Sequence, residues 1–172
     1  FLRFEENRLK QGKKIQIVQI EQDIKAEIPV PSLDFKVYLK GKVDRVEMVD
    51  GRLQIIDYKT GKTETKNVEI IGWEDLIEDA TYNKAFQILC YALLIHKQNG
   101  LNSFTAGIIS FKNLQLGVLS FAVKDKKGRG AIKEHLIDQE VLALFSQALE
   151  KLILKIFDPN QTLQEKELEQ YA

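Results

Sequence analysis

Cysteine is almost missing from this chain, and the scarcity narrows its chemistry. Cys90 is the single residue of that type, which leaves no partner for an internal disulfide and too few thiols for a zinc or iron–sulfur site made from cysteine. A reducing, cytoplasmic setting fits that usage. An excess of charge of either sign is missing too: 25 Lys and Arg balance 25 Asp and Glu. Without a net field there is no global attraction to a polyanion, so any such contact must be a local patch. No apolar run approaches the roughly 20 residues that span a bilayer, and no signal-peptide pattern opens the chain. A soluble protein without membrane association is expected. Repeats and low-complexity tracts are absent.

What is present is one core's worth of apolar material: 172 residues, 44% hydrophobic and 29% charged, ample for one globular domain and short for two. We expect a single domain over residues 1–158 and a polar tail over 159–172. The chain opens with the helical-looking Phe1-Leu2-Arg3-Phe4-Glu5-Glu6 and no Met, which reads as a piece of a longer protein.

Leu2, Glu5, Glu6 and Leu9 fall at helical spacing before a stop at Gly12. Residues 15–21 and 35–44 are β-branched and alternating, with Pro29 and Pro31 between them. Val43 to Val49, Asp50-Gly51 and Leu53 to Tyr58 form a hairpin pattern, because Asp-Gly accepts the positive backbone angles of a two-residue turn. Residues 60–81 are polar and mixed, the pattern of a long loop with at most a short helical turn. A helix over Asn83 to Gln98 carries an apolar stripe of Phe86, Leu89, Cys90, Leu93 and Leu94, ended by Asn99-Gly100. Strands over Ser103–Phe111 and Gly117–Val123 follow, then a helix from about Ile137 to Phe157, stopped by Asp158-Pro159. The order αβββ(loop)αββα predicts an α/β fold, a central mixed sheet flanked by helices.

Three charges converge in that scheme. Asp44 closes one strand segment, Asp57 lies near the end of the next, and Lys59, two residues on, projects to the same face as Asp57. A carboxylate placed directly after Ile55 and Ile56 is costly to bury unless a cation pairs with it, and Lys59 or a metal ion answers that need. Two carboxylates with a backbone carbonyl make a hard-oxygen set of the kind Mg²⁺ prefers. Such an ion neutralises charge on a phosphoryl group and activates water, while an ammonium steadies the transition state. An Asp-x-Lys triplet alone most often marks a solvated strand edge; the surrounding blocks give it meaning.

Those blocks are Gly41-Lys42-Val43-Asp44-Arg45, Asp57-Tyr58-Lys59-Thr60-Gly61 and Gln87-x-x-x-Tyr91. Together, over roughly residues 15–125, the sequence resembles the RecB-like branch of the PD-(D/E)XK nucleases, in particular the nuclease domains of AddB- and RecB-type helicase-nucleases. The resemblance implies a restriction-endonuclease-like core (αβββαβ). It also implies a DNA nuclease dependent on Mg²⁺ or Mn²⁺, an exonuclease domain working on single strands beside a helicase subunit or domain in repair and recombination. By the same resemblance Asp44, Asp57 and the Tyr58 carbonyl are metal ligands, Lys59 is the catalytic lysine, and Glu21 is the additional acidic residue. Gln87 and Tyr91, four apart on one helix face, support the site or the bound strand; their plainer reading is a polar edge on a core helix. The alternative function is a catalytically inactive nuclease-like module that binds DNA or a partner subunit.

The sequence departs from the family in two places. Relatives carry a metal-binding histidine on a helix upstream of the sheet, whereas His96 and His135 both follow Lys59. His96 is expected to flank its helix end and His135 to face solvent; the missing ligand would lie before Phe1 or not exist, and the chain alone would then be weakly active. The cysteines of the iron–sulfur cluster found in AddB-type members are absent, so no cluster is expected within this chain. Gly61-Lys62-Thr63 is not a phosphate-binding loop, since the required earlier glycine is Ile56. Lys124, Lys126, Lys127 and Arg129 form a basic loop suited either to phosphate contact or to a solvated turn. Trp73 either covers the core or stacks on an unpaired base.

Overall fold

The computed structural model describes residues 1–101 and 103–161. Its first element, α1 (Leu2–Lys10), has Glu5 in its first turn and Arg8 and Lys10 in its last, which suits the helix dipole. Gly12, at φ 80°, turns the chain into the sheet.

Three antiparallel strands follow: β1 (Ile15–Ile28), β2 (Val37–Val49) and β3 (Arg52–Lys59). Asp50 (φ 51°) and Gly51 (φ 84°) make the tight turn between β2 and β3, as the Asp-Gly pair predicts. The two separate segments expected over 35–44 and 43–49 are one strand, because β1 pairs along β2 from Ile28↔Val37 to Ile15↔Val49, with a single register shift between Ile17 and Gln19. Asp44 therefore lies inside β2 rather than closing it.

The stretch expected as a loop, 60–81, is more ordered than its polarity implied. It holds β4 (Glu69–Ile70) and α2 (Trp73–Glu78), with short 3₁₀ turns at Thr65–Asn67 and Ala80–Tyr82. Helix α3 (Asn83–Asn99) ends at Gly100, whose φ of 66° supplies the left-handed cap. Strand β5 (Ser103–Ser110) then runs parallel to β3, from Gln54↔Thr105 to Lys59↔Ser110. The single strand expected over 117–123 divides at Phe121. β6 (Val118–Ser120) stays on β5, whereas β7 (Ala122–Lys124) pairs with β4 and with β8 (Lys133–Glu134) in a small second sheet. The Ala122 N–H is the point of transfer, donating to the Val68 carbonyl at 3.2 Å. β9 (Ile137–Asp138) pairs with the start of β5, so α4 (Gln139–Ile156) begins two residues later than its apolar pattern predicted. Asp138 caps it, accepting the Val141 N–H at 2.9 Å.

The main sheet has the order β1-β2-β3-β5-β6 with one parallel pair in an antiparallel surround. It is the mixed α/β architecture expected, a restriction-endonuclease-like sheet flanked by helices. One sheet face carries the core: Val46, Ile55, Phe104, Ala106 and Ile108 pack with Ile88, Leu89, Leu94 and Ile95 of α3 and Phe145 of α4. α3 is buried almost all round, which explains why its stripe looked broad in the sequence. Burying each such aliphatic side chain contributes about 1.5–3 kcal/mol, enough to hold the sheet and α3 as one body.

Candidate active site

The β2–β3 ladder runs from Val49↔Arg52 to Arg45↔Ile56 and stops there. Asp44 is the first residue past that end on β2, and its carboxylate Oδ2 accepts the Tyr58 peptide N–H at 2.7 Å. A side chain thus completes the ladder where the backbones diverge. The phase of β2 changes at the same place: Val37, Leu39 and Val43 pack on the core in the first half, but Val46 and Met48 do so in the second. Across β1 the neighbouring pairs Ile20↔Arg45 and Gln22↔Val43 bracket Glu21 and Asp44. Glu21 there takes φ 48°, a left-handed backbone unusual for a residue other than glycine.

Asp57 is 3% exposed. Lys59 Nζ lies 2.8 Å from its Oδ2. The ammonium is poorly aligned for a hydrogen bond, so that oxygen is buried without a well-directed donor. Burial raises the Asp57 pKa above the usual carboxylate range; Lys59 opposes the shift and the negative charge of Asp44 adds to it. The two aspartates therefore feel one another. Lys59 Nζ also donates to Gln87 Oε1 at 2.7 Å, and Gln87 Nε2 donates to the Tyr91 hydroxyl at 2.7 Å. This places the i, i+4 pair of α3 against the end of β3. Burial raises the Tyr91 pKa as well; its bond to Gln87 works against that, and Asp57 and Asp44 contribute to the rise. The Tyr91 ring needs a glycine on β2: a Cβ at Gly41 would stand 2.8 Å from Tyr91 Cε1.

Asp44, Asp57, Lys59, Gln87, Tyr91 and the Tyr58 peptide are thus gathered at one place. Glu21 is adjacent to Asp44 along the ladder, yet its carboxylate pairs with Lys42 at 3.0 Å and its side chain is 71% exposed. Lys126, Lys127 and Arg129 are exposed in the turn after β7 and form no ion pair among the described residues. Lys124 is drawn away from that loop, 3.5 Å from Glu69. His96 sits in the last turn of α3 with Nδ1 2.7 Å from the Leu101 carbonyl, and exposed His135 approaches the Phe121 carbonyl at 2.8 Å. Trp73 begins α2 and packs against the core. Of the tail 159–172, residues 162–172 lie outside the described residues.

The donor set suits a hard divalent cation. Asp57 offers a buried oxygen lacking a directed donor, Asp44 has an oxygen beyond the one held by Tyr58, and the Tyr58 carbonyl belongs to the same strand end. Among the described residues no group of three or more His, Cys, Asp or Glu is assembled for a metal, so water would have to complete the coordination.

Sequence reasoning missed the far face of the sheet. Glu47, fully buried, lies between Arg8 of α1, at 2.5 Å, and Arg45, with which it forms a close ion pair. Arg45 also reaches Glu5 at 3.1 Å and donates to the Tyr58 hydroxyl at 3.1 Å. The one available signal was charge alternating with apolar residues in Arg45-Val46-Glu47 on a strand whose both faces are covered.

With this geometry in place the comparisons are clear. The model of the PD-(D/E)XK nuclease superfamily matches residues 1–168, and the chain belongs to that superfamily, whose nucleases usually use divalent metals and bind DNA. A solved structure described as the crystal structure of SSO0001 overlays at a TM-score of 0.34 and 12% identity, covering 94% of this chain and 68% of that one, too loose a likeness to bear on fold or site. No curated protein matches the sequence. No described helix is long and apolar enough to cross a membrane.

Proposed function

We propose that this chain is a Mg²⁺- or Mn²⁺-dependent deoxyribonuclease of the RecB-like branch, with residues 1–158 acting as one nuclease unit. One observation carries the reading: Asp44 grips the peptide that joins Asp57 to Tyr58, and Lys59 stands beside Asp57, so two carboxylates and an ammonium meet at a single strand end. Asp44, Asp57 and the Tyr58 carbonyl would hold the cation, with Glu21 next along the ladder as a further carboxylate. Bound there, the cation would neutralise phosphoryl charge and lower the pKa of water. Lys59, oriented by Gln87, compensates the buried charge of Asp57 at rest and presents a cation to the phosphodiester during reaction. Tyr91 fixes Gln87 in turn. Lys126, Lys127 and Arg129 supply a local basic patch for the DNA backbone in a chain with no net charge.

The helicase association, the single-strand preference, the exonuclease mode and a place in repair and recombination follow the branch resemblance. A second reading, a non-catalytic module that binds DNA or a partner subunit, draws on the absence of a third acidic or histidine ligand at Asp44 and Asp57 among the described residues. Incubating the protein with labelled single- and double-stranded DNA, with and without Mg²⁺ or Mn²⁺, separates the two. Metal-dependent products that vanish in Asp57→Ala and Lys59→Ala support hydrolysis. DNA retention without cutting supports the binding module.

A further inference from the structure

Tyr58 is held at three points. Its peptide N–H donates to Asp44 at 2.7 Å on the active side of the sheet. Its ring, on the opposite side, stacks on Phe111 with centroids 5.6 Å apart and 15° between planes, and meets Phe1 edge-on at 5.6 Å. Its hydroxyl accepts from Arg45 Nη1 at 3.1 Å.

Arg45 is itself fixed to an unusual degree. The Arg8 and Arg45 side chains are each 7% exposed, and with buried Glu47 and half-buried Glu5 they form a charge-balanced set linking α1 to β2. Three buried charges and a partly exposed fourth are a costly way to dock a helix; apolar groups of like volume often do as well or better. Arg45 Nε, moreover, is buried with no acceptor. What the set does achieve is directional: it fixes a guanidinium against the phenol of the one residue whose peptide lies between Asp57 and Lys59. A side chain pinned at its tip restricts rotation of its own backbone, and displacements of less than 1 Å at such a strand end degrade a coordination site.

We propose that Arg45, locked by Glu47 and Glu5, is a positioning residue that sets the Tyr58 peptide from behind the sheet. Its use in metal binding rests on the function proposed above; its hold on the peptide does not. α1 is then part of the site's support through Arg8 and Glu5, although neither touches the reacting groups.

Tyr58→Phe tests this with little disturbance, since it removes the hydroxyl and keeps both ring contacts and the N–H. Hydrogen–deuterium exchange of the Tyr58 amide in metal-free full chain should accelerate, roughly tenfold. The Mn²⁺ concentration for half-maximal cleavage should rise, also roughly tenfold, with the KM for DNA unchanged. Arg45→Met should behave alike and Arg45→Lys should recover part of both effects. Unchanged amide exchange in Tyr58→Phe would overturn the proposal. Faster exchange with an unaltered Mn²⁺ midpoint would overturn its link to the metal. Absence of any metal-dependent cleavage by the wild type would instead refute the proposed function, while the exchange result still decides whether Arg45 holds the peptide.

Discussion

Lys59 Nζ lies 2.8 Å from Asp57 Oδ2, and both come from the same strand, two residues apart on one face. The ammonium compensates a carboxylate that is otherwise buried behind Ile55 and Ile56, and it does so without satisfying the oxygen's hydrogen-bonding direction. The pair therefore holds a charge in readiness at the cost of an incompletely paired buried group.

That cost is measurable through pH. Burial holds the Asp57 pKa above its ordinary value, so the ionised form is disfavoured in the fold and stability is lost as pH rises past the unfolded carboxylate range. Asp57→Asn should then stabilise the metal-free protein at pH 7, by about 3 °C in Tm for a chain of this size. The advantage should shrink as pH falls through the folded pKa, where Asp57 takes up its proton. Thermal melts of both proteins across the acidic range check the sign. Added Mg²⁺ should narrow the gap at pH 7.

Gly41→Ala should damage both fold and site. Its Cβ would meet Tyr91 Cε1 at 2.8 Å and Leu94 Cδ1 at 3.3 Å, both on buried side chains of α3. Overpacking of this kind costs about 1–3 kcal/mol. Urea denaturation should show that loss, and any cleavage activity should drop further than stability alone explains, because Tyr91 is forced off Gln87.

Glu47→Ala should be among the most destabilising substitutions in the chain. It leaves the guanidinium groups of Arg8 and Arg45 buried together without the carboxylate between them, a loss of about 3–5 kcal/mol. Chemical denaturation gives the number, and limited proteolysis should show α1 cut first. Exposed Glu6, paired with Lys10 on the same helix, should by contrast be replaceable by Ala at a cost of about 0.5 kcal/mol or less.

Cys90 should be inert in the folded state. Burial in α3 pushes its thiol pKa up to about 12, so the thiolate is roughly a thousandfold scarcer than for a free cysteine. Iodoacetamide at pH 8 should leave the native protein unlabelled and modify it fully in denaturant.

Much of this was legible in the sequence, and the exceptions share a cause. The Asp50-Gly51 turn, the Gly100 helix end and the shared face of Asp57 and Lys59 depend on local backbone rules, which a sequence displays directly. The i, i+4 meeting of Gln87 and Tyr91 is of the same kind. Long-range pairing was not visible. Arg8 and Glu47 are 39 residues apart and look like surface charges until α1 folds across β2. The two-residue strand β4 exists because β7 is there to pair with it, and the division of residues 118–124 between two sheets depends on that partner. Asp44 looked like a strand end because its neighbours change face, whereas β1 carries the strand through that point.

The central claim is that Asp44 and Asp57 share a divalent cation, and Mn²⁺ binding in the absence of DNA tests it most directly. Electron paramagnetic resonance of free Mn²⁺, titrated with protein, should show binding by the wild type and its loss in Asp44→Asn, Asp57→Asn and the double variant, all three still folded by circular dichroism. Equal Mn²⁺ uptake by the wild type and the double variant would contradict the account.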